Sequence, residues 1–147
     1  DICVLIEDLK ASEKPFVQAL EQILALLQLN GVSVSLMLCT DERIHELNKL
    51  YRGKDKPTDV LSFAQREGEF ADPDDPLLGD VVISLETAAR QAQEYSNPLP
   101  DELELLMVHG VLHLLGYDHI EDEEAEEMEA KERAICKQLN VDWSLLG

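Results

Sequence analysis

The spacing of apolar residues along the chain changes period several times, and each change marks an element. Ile2–Ile6 is a short apolar run that reads as a strand. Over residues 12–29, Phe16, Leu20, Ile23, Leu24 and Leu27 recur at helical spacing, and Asn30-Gly31 supplies a stop. Residues 32–38 alternate Val, Ser, Val, Ser, Leu, Met, Leu, the period of a strand with one wetter face. Thr40 or Asp41 then caps a helix whose Ile44, Leu47, Leu50 and Tyr51 are expected to face the core. Residues 60–64 and 80–84 read as two further strands. The segment between them, 65–78, holds Gly68, Pro73, Pro76 and five acids and reads as a loop. Ser84 caps a helix to about residue 95, with Leu85, Ala88, Ala89 and Ala92 as a small-residue face. Asn97-Pro98 and Pro100 punctuate before a helix over 103–115 that is apolar on nearly every side, as a buried helix is. A last helix runs to about residue 139, with Met128, Ile135 and Leu139 inward. Four strands confined to the first 84 residues and about five helices make an α+β fold with one sheet.

A length of 147 residues and 45% apolar content fit one domain over 1–147 with a core of its own. No run approaches a membrane span, and no basic stretch followed by an apolar run opens the sequence. Cys3, Cys39 and Cys136 are an odd, scattered set that reads as thiols of a reducing cytoplasm rather than a disulfide framework.

The candidate chemistry lies in His109-Gly-Val-Leu-His113-Leu-Leu-Gly116-Tyr-Asp-His119, which holds three of the four histidines. Residues four apart share a helix face, so His109 and His113 can point at one atom. Gly116 can end the helix, and the returning chain can bring His119 to the same point. Three neutral nitrogens and an open position are the ligand set of a catalytic zinc site. The spacing matches the zincin pattern H-E-x-x-H-x-x-G-x-x-H except that Gly110 replaces the glutamate that serves peptidases as general base. The scaffold is therefore a zincin-like metal-binding helix without the zincin base. Asp118 is placed to orient a ligand or to bond locally. His45, among charged residues, reads as a surface histidine without a role.

Charge complicates the choice of substrate. The net charge of −19 opposes an anionic ligand, and residues 121–132 hold eight acids and one lysine, which read as a solvated face. Arg43, Lys49, Arg52, Lys54 and Lys56, by contrast, put five of the twelve basic residues within fourteen positions.

The run HGVLHLLGYDH, with YRGKDKPTDVLSF at 51–63 and LGDVVIS at 78–84, closely resembles the YbeY family of bacterial endoribonucleases. The resemblance spans most of the chain. It implies a mixed four-stranded sheet covered by helices, one zinc ion on His109, His113 and His119, and a single-strand-specific endoribonuclease of 16S 3′-end maturation and ribosome quality control. It also implies as partners ribosomal RNA, the small subunit with its proteins, and a ribosome-associated GTPase. Arg52 matches the arginine of the family's Tyr-Arg segment and would stabilise the phosphate, although an arginine near a helix end also caps carbonyls. Ser62 and Phe63 match cleft-lining positions, and Asp80 matches an aspartate linked to a small-subunit protein. Thr58-Asp59 read as a turn. Two alternatives stand beside this: a metallohydrolase of peptides or small molecules, and an assembly factor whose zinc is structural.

Overall fold

The computed structural model describes residues 2–6, 14–29, 31–64, 77–115 and 122–139. Along the chain these form β1 (Ile2–Ile6), α1 (Lys14–Leu26), β2 (Ser33–Cys39), α2 (Asp41–Arg52), β3 (Val60–Ala64), β4 (Leu77–Ser84), α3 (Leu85–Glu94), α4 (Leu99–Leu114) and α5 (Asp122–Leu139). The strands make one mixed sheet in the order β1-β2-β4-β3. β1 runs parallel to β2 and β2 parallel to β4, while β3 returns antiparallel to β4. The whole is a single α+β domain.

Strand alternation gives the sheet two different faces. Val34, Leu36 and Leu38 of β2 and Val81 and Ile83 of β4 join Leu20 and Ile23 of α1 and Met107, Val111 and Leu112 of α4 in the main core. On the other face Cys39, Leu61 and Val82 meet Ile44 of α2, with Met37, Leu47 and Phe63 partly covered. Among the described residues the first face is thickly packed and the second only partly roofed. That asymmetry sets where an open groove can lie.

Helix ends depart from the expected positions for identifiable reasons. α1 closes before Asn30-Gly31: Gln28 takes φ 58°, and the Leu29 and Gln28 amides donate to the Leu24 and Ala25 carbonyls. Asn30 lies outside the described residues. α4 begins at Leu99 rather than residue 103, because Pro100 falls in the first turn, where its missing N–H costs nothing. Thr40, not Asp41, caps α2, accepting from the Arg43 amide at 3.2 Å. Leu50 and Tyr51, expected in the core, are 72% and 64% exposed, since the buried stripe of α2 runs through Ile44 and Asn48. Ala88 and Ala92 of α3 are buried but Ala89 faces solvent. β4 starts at Leu77, inside the expected loop, with Leu78 as an extra residue against β2. The rest of that loop, 65–76, lies outside the described residues, as do the side chains of Met128 and Leu139.

Candidate functional site

α4 is packed on nearly all sides and leaves His109 and His113 half-buried on the remaining stripe. Their Nε2 atoms stand 3.0 Å apart, with ring centroids at 4.5 Å and planes at 73°. Behind them, His109 Nδ1 lies 2.8 Å from Oε1 of Glu132 on α5. A carboxylate oxygen accepts, so this hydrogen bond assigns the proton to Nδ1 and leaves the Nε2 lone pair of His109 directed at His113.

That arrangement fits a metal ion. Two nitrogens at about 2.0–2.1 Å from a tetrahedral zinc stand roughly 3.3–3.4 Å apart, close to the observed separation. A carboxylate on the far ring nitrogen is the usual support of a ligating imidazole. Among the described residues no group of three metal-ligating side chains occurs. The expected third ligand, His119, lies with Gly116 and Asp118 outside the described residues.

Glu132 is the site residue that sequence reading missed. It belongs to the acidic run that reads as a solvated face, and Glu126 and Glu127 are exposed as that reading requires. Glu132 itself is only 2% exposed. It stands three and four residues before Ile135 and Cys136, both buried, so helical phase carried the signal. Burial pushes the Cys136 thiol up to about 12, and the nearby carboxylates of Glu132 and Glu104 add to it.

Gly110 has a steric cause. A β-carbon there would lie 2.6 Å from Val81 Cγ1, and Ser62 Oγ donates to the Gly110 carbonyl at 3.0 Å. Position 110 faces the sheet at close approach, so the slot that holds the zincin glutamate has no room for a side chain.

The other expected site residues divide between the two sheet faces. Ser62 points to α4, whereas its neighbour Phe63 points to α2, as alternation demands. Phe63 meets Tyr51 edge to face at 5.4 Å. With Leu47, Asp80, Met37 and Ser35 this pair lines a groove of about 350 Å³. Arg52 ends α2 in an exposed position, followed by the left-handed Gly53 at φ 69°. Among the described residues no hydrogen bond or ion pair ties Arg52 to the imidazoles. Lys49, Lys54 and Lys56 are exposed nearby in sequence, and Arg43 meets Glu46 at 3.3 Å. Asp59 has the local role expected of a turn residue, accepting from the Val60 amide at 2.8 Å. His45 pairs with Asp55 at 2.7 Å on the surface, and that hydrogen bond lowers the Asp55 carboxyl.

Comparison with known proteins agrees with this frame. Residues 4–140 match the family model described as endoribonuclease YbeY. The endoribonuclease YbeY of Desulfitobacterium hafniense is 51% identical over 113 residues, which cover 74% of this chain and 72% of the relative. That of Moorella thermoacetica is 56% identical over 108 residues, covering 69% of each. A chloroplastic endoribonuclease YBEY of Arabidopsis thaliana is 51% identical over 79% of this chain and 20% of its own length. The solution structure of the Thermotoga maritima protein TM1509 superposes with a TM-score of 0.65 at 28% identity, covering 95% of this chain and 92% of that one.

Proposed function

Because the chain belongs to the endoribonuclease YbeY family, we propose that it is a metal-dependent endoribonuclease that cuts single-stranded RNA and serves ribosomal RNA maturation, the 16S 3′ end included, and ribosome quality control. The observation that carries this reading is the imidazole pair of α4, its Nε2 atoms 3.0 Å apart with Glu132 behind His109. In this reading residues 1–147 form one hydrolase domain on a zincin-like helix, and His109, His113 and His119 hold one zinc ion. When bound, zinc supplies a Lewis acid for a phosphoryl oxygen and lowers the pKa of water toward neutrality. Three neutral ligands cancel none of the ion's charge, which suits a phosphodiester.

The chain's own groups do the rest. Glu132 keeps the His109 proton on Nδ1, so the other nitrogen stays available. Arg52 presents a planar fork to phosphoryl oxygens, and Lys49, Lys54 and Lys56 give the strand a local cationic track on an acidic body. Ser62 positions α4 through the Gly110 carbonyl, and Phe63 and Asp80 contact substrate or partner. A peptidase is disfavoured because position 110 admits no general base. The partners proposed are ribosomal RNA, the small subunit with its proteins and a ribosome-associated GTPase, in the cytoplasm. Among the described residues no helix is long and apolar enough to cross a membrane.

The test combines metal content with RNA cleavage. Protein purified without chelator should carry about one zinc per chain and cut single-stranded RNA. His113→Ala should lose both zinc and cleavage, whereas Arg52→Glu should lose cleavage and keep zinc. Zinc-free protein that addition of the metal cannot load, or cleavage undiminished in His113→Ala, rejects the reading.

A further inference from the structure

β3 ends the sheet: it pairs with β4 on one side, and among the described residues no strand pairs with its other side. Its sequence, Val-Leu-Ser-Phe-Ala, has neither the charge nor the proline that usually guards an edge. The ladder fixes the direction of its backbone groups. The Ser84 amide donates to the Asp59 carbonyl at 3.0 Å, so Asp59, Leu61 and Phe63 turn their amides and carbonyls to β4. Val60, Ser62 and Ala64 turn theirs outward. Asp59 Oδ1 takes the Val60 amide. Among the described residues nothing accepts from the amides of Ser62 and Ala64, and both residues are only half-buried.

This edge runs beside the imidazole pair. Glu102, His109 and His113 are seven and four residues apart and share one stripe of α4. The stripe begins at the foot of β3: burial raises the Glu102 carboxyl, and the nearby Asp59 carboxylate adds to the rise. Further along, Ser62 Oγ donates to the carbonyl of Gly110, the residue after His109. At the far end Leu114, the residue after His113, packs against Gly79, the cross-strand partner of Ala64. An RNA strand that reaches the imidazoles therefore passes along β3. We propose that the outward amides of Ser62 and Ala64 hold consecutive phosphates of that strand. Alternate residues of a β-strand repeat at about 6.7 Å, an interval that an extended single strand can follow from phosphate to phosphate. Backbone amides bind phosphate without side-chain charge, which suits an acidic protein. An extended peptide could pair with the same groups, and the family's action on RNA decides for the nucleotide strand. The proposal rests on the endoribonuclease reading and adds to it the surface that lays the strand across the site.

Proline deletes an amide hydrogen, and on an edge strand it is tolerated where that hydrogen points away from the ladder. Ala64→Pro therefore removes one proposed contact and no bond to β4. Fluorescence anisotropy with a 2′-O-methyl uridine octamer, checked intact by gel, reads binding apart from cleavage. Ala64→Pro should weaken binding about tenfold, the size of one hydrogen bond to a charged acceptor. Ala64→Val, which keeps the amide, should stay within twofold of the parent. Zinc content and the dependence of binding on salt should not change, since no ligand and no cation is removed. Where Ala64→Pro does not fold, an ester in place of the 63–64 amide removes the same hydrogen and should give the same loss. Parental affinity in the proline or ester protein overturns the proposal. So does a shallower salt dependence, which would trace the loss to displaced cations. Displacement of the octamer by an uncharged extended peptide, in the parent but not in Ala64→Pro, would make the edge a protein site and overturn it too. If the parent cuts no RNA while the loss at position 64 holds, the nuclease reading falls and the phosphate-binding edge stands.

Discussion

Glu132 and Gly110 show how a single position can carry either chemistry or packing. Glu132 is an acid where burial is costly, and its 2.8 Å contact with His109 Nδ1 accounts for its being there. Supporting groups of this kind are worth about 10–100-fold in metal affinity. Glu132→Ala should therefore weaken zinc binding by about that factor in chelator competition, and Glu132→Gln, which keeps an acceptor, should weaken it less. Glu127→Gln, on the exposed side, should leave it unchanged. Gly110 is the converse case. A glycine inside a helix costs about 1 kcal/mol against alanine, so its presence signals that something comes close. That something is Val81. Gly110→Glu should lower stability by about 1–3 kcal/mol in thermal or urea unfolding, the usual cost of overpacking. It should not create peptidase activity, since the added carboxylate would be driven into the sheet. The meeting of His109 and His113 was legible in the sequence because residues four apart share a helix face. Glu132 was obscured by acids that really are solvated.

Among the elements, the ones marked by periodicity were legible: α3 runs from Leu85 to Glu94, as the Ser84 cap and an end at about residue 95 require, whereas α1 closes at Leu26, short of the expected residue 29. α1 and α3 both stop through a left-handed residue that is not glycine, Gln28 at φ 58° and Ser96 at φ 54°. In α3 the Asn97 amide donates to the Ala92 carbonyl at 2.8 Å, the same closing bond that Leu29 makes to Leu24 in α1. Nothing in a glutamine or serine announces this. Gln28→Gly should remove the strain and raise stability by up to about 1 kcal/mol, read as a shift in urea midpoint at constant slope. A second inter-element feature joins α2 to α3. Asp41 accepts from Ser84 Oγ at 2.5 Å and Thr87 Oγ1 at 2.6 Å, and it pairs with Arg90 at 2.8 Å. Burial alone would raise its carboxyl, but the hydrogen bonds from Ser84, Thr87 and Arg90 together hold it below the ordinary value of 3.8. A carboxyl depressed in the folded state contributes stability that is fully present above its unfolded value and is lost as pH falls through the folded one. Unfolding measured between pH 7 and pH 3 should show an acid-sensitive component at the low end that Asp41→Asn removes. An unchanged pH profile in that variant would mean that the carboxylate contributes nothing.

For the whole molecule, a net charge of −19 and an anionic substrate conflict unless phosphate contact is local. Composition alone pointed away from RNA, and it did so because a sum over the chain is blind to position. The structure keeps Lys49, Arg52, Lys54 and Lys56 exposed at and just beyond the C-terminal end of α2, while Glu126 and Glu127 are exposed on α5. Salt dependence separates the two populations. Counterion release makes the logarithm of the binding constant fall with the logarithm of salt at about −0.7 per phosphate contact for a single strand. If all four cations contact phosphates, the slope for single-stranded RNA should be about −3. Arg52→Glu should make that slope shallower by about 0.7 and abolish cleavage. Arg52→Lys should keep the slope but recover only part of the cleavage rate, because an ammonium retains the charge and loses the bidentate fork. Glu126→Gln with Glu127→Gln should leave the slope alone, since it counts direct contacts, and more distant charges are screened beyond about 8 Å at physiological salt. A slope near zero in the parent protein, or one that Arg52→Glu does not alter, would show that the phosphate backbone is held by other residues than the α2 cluster.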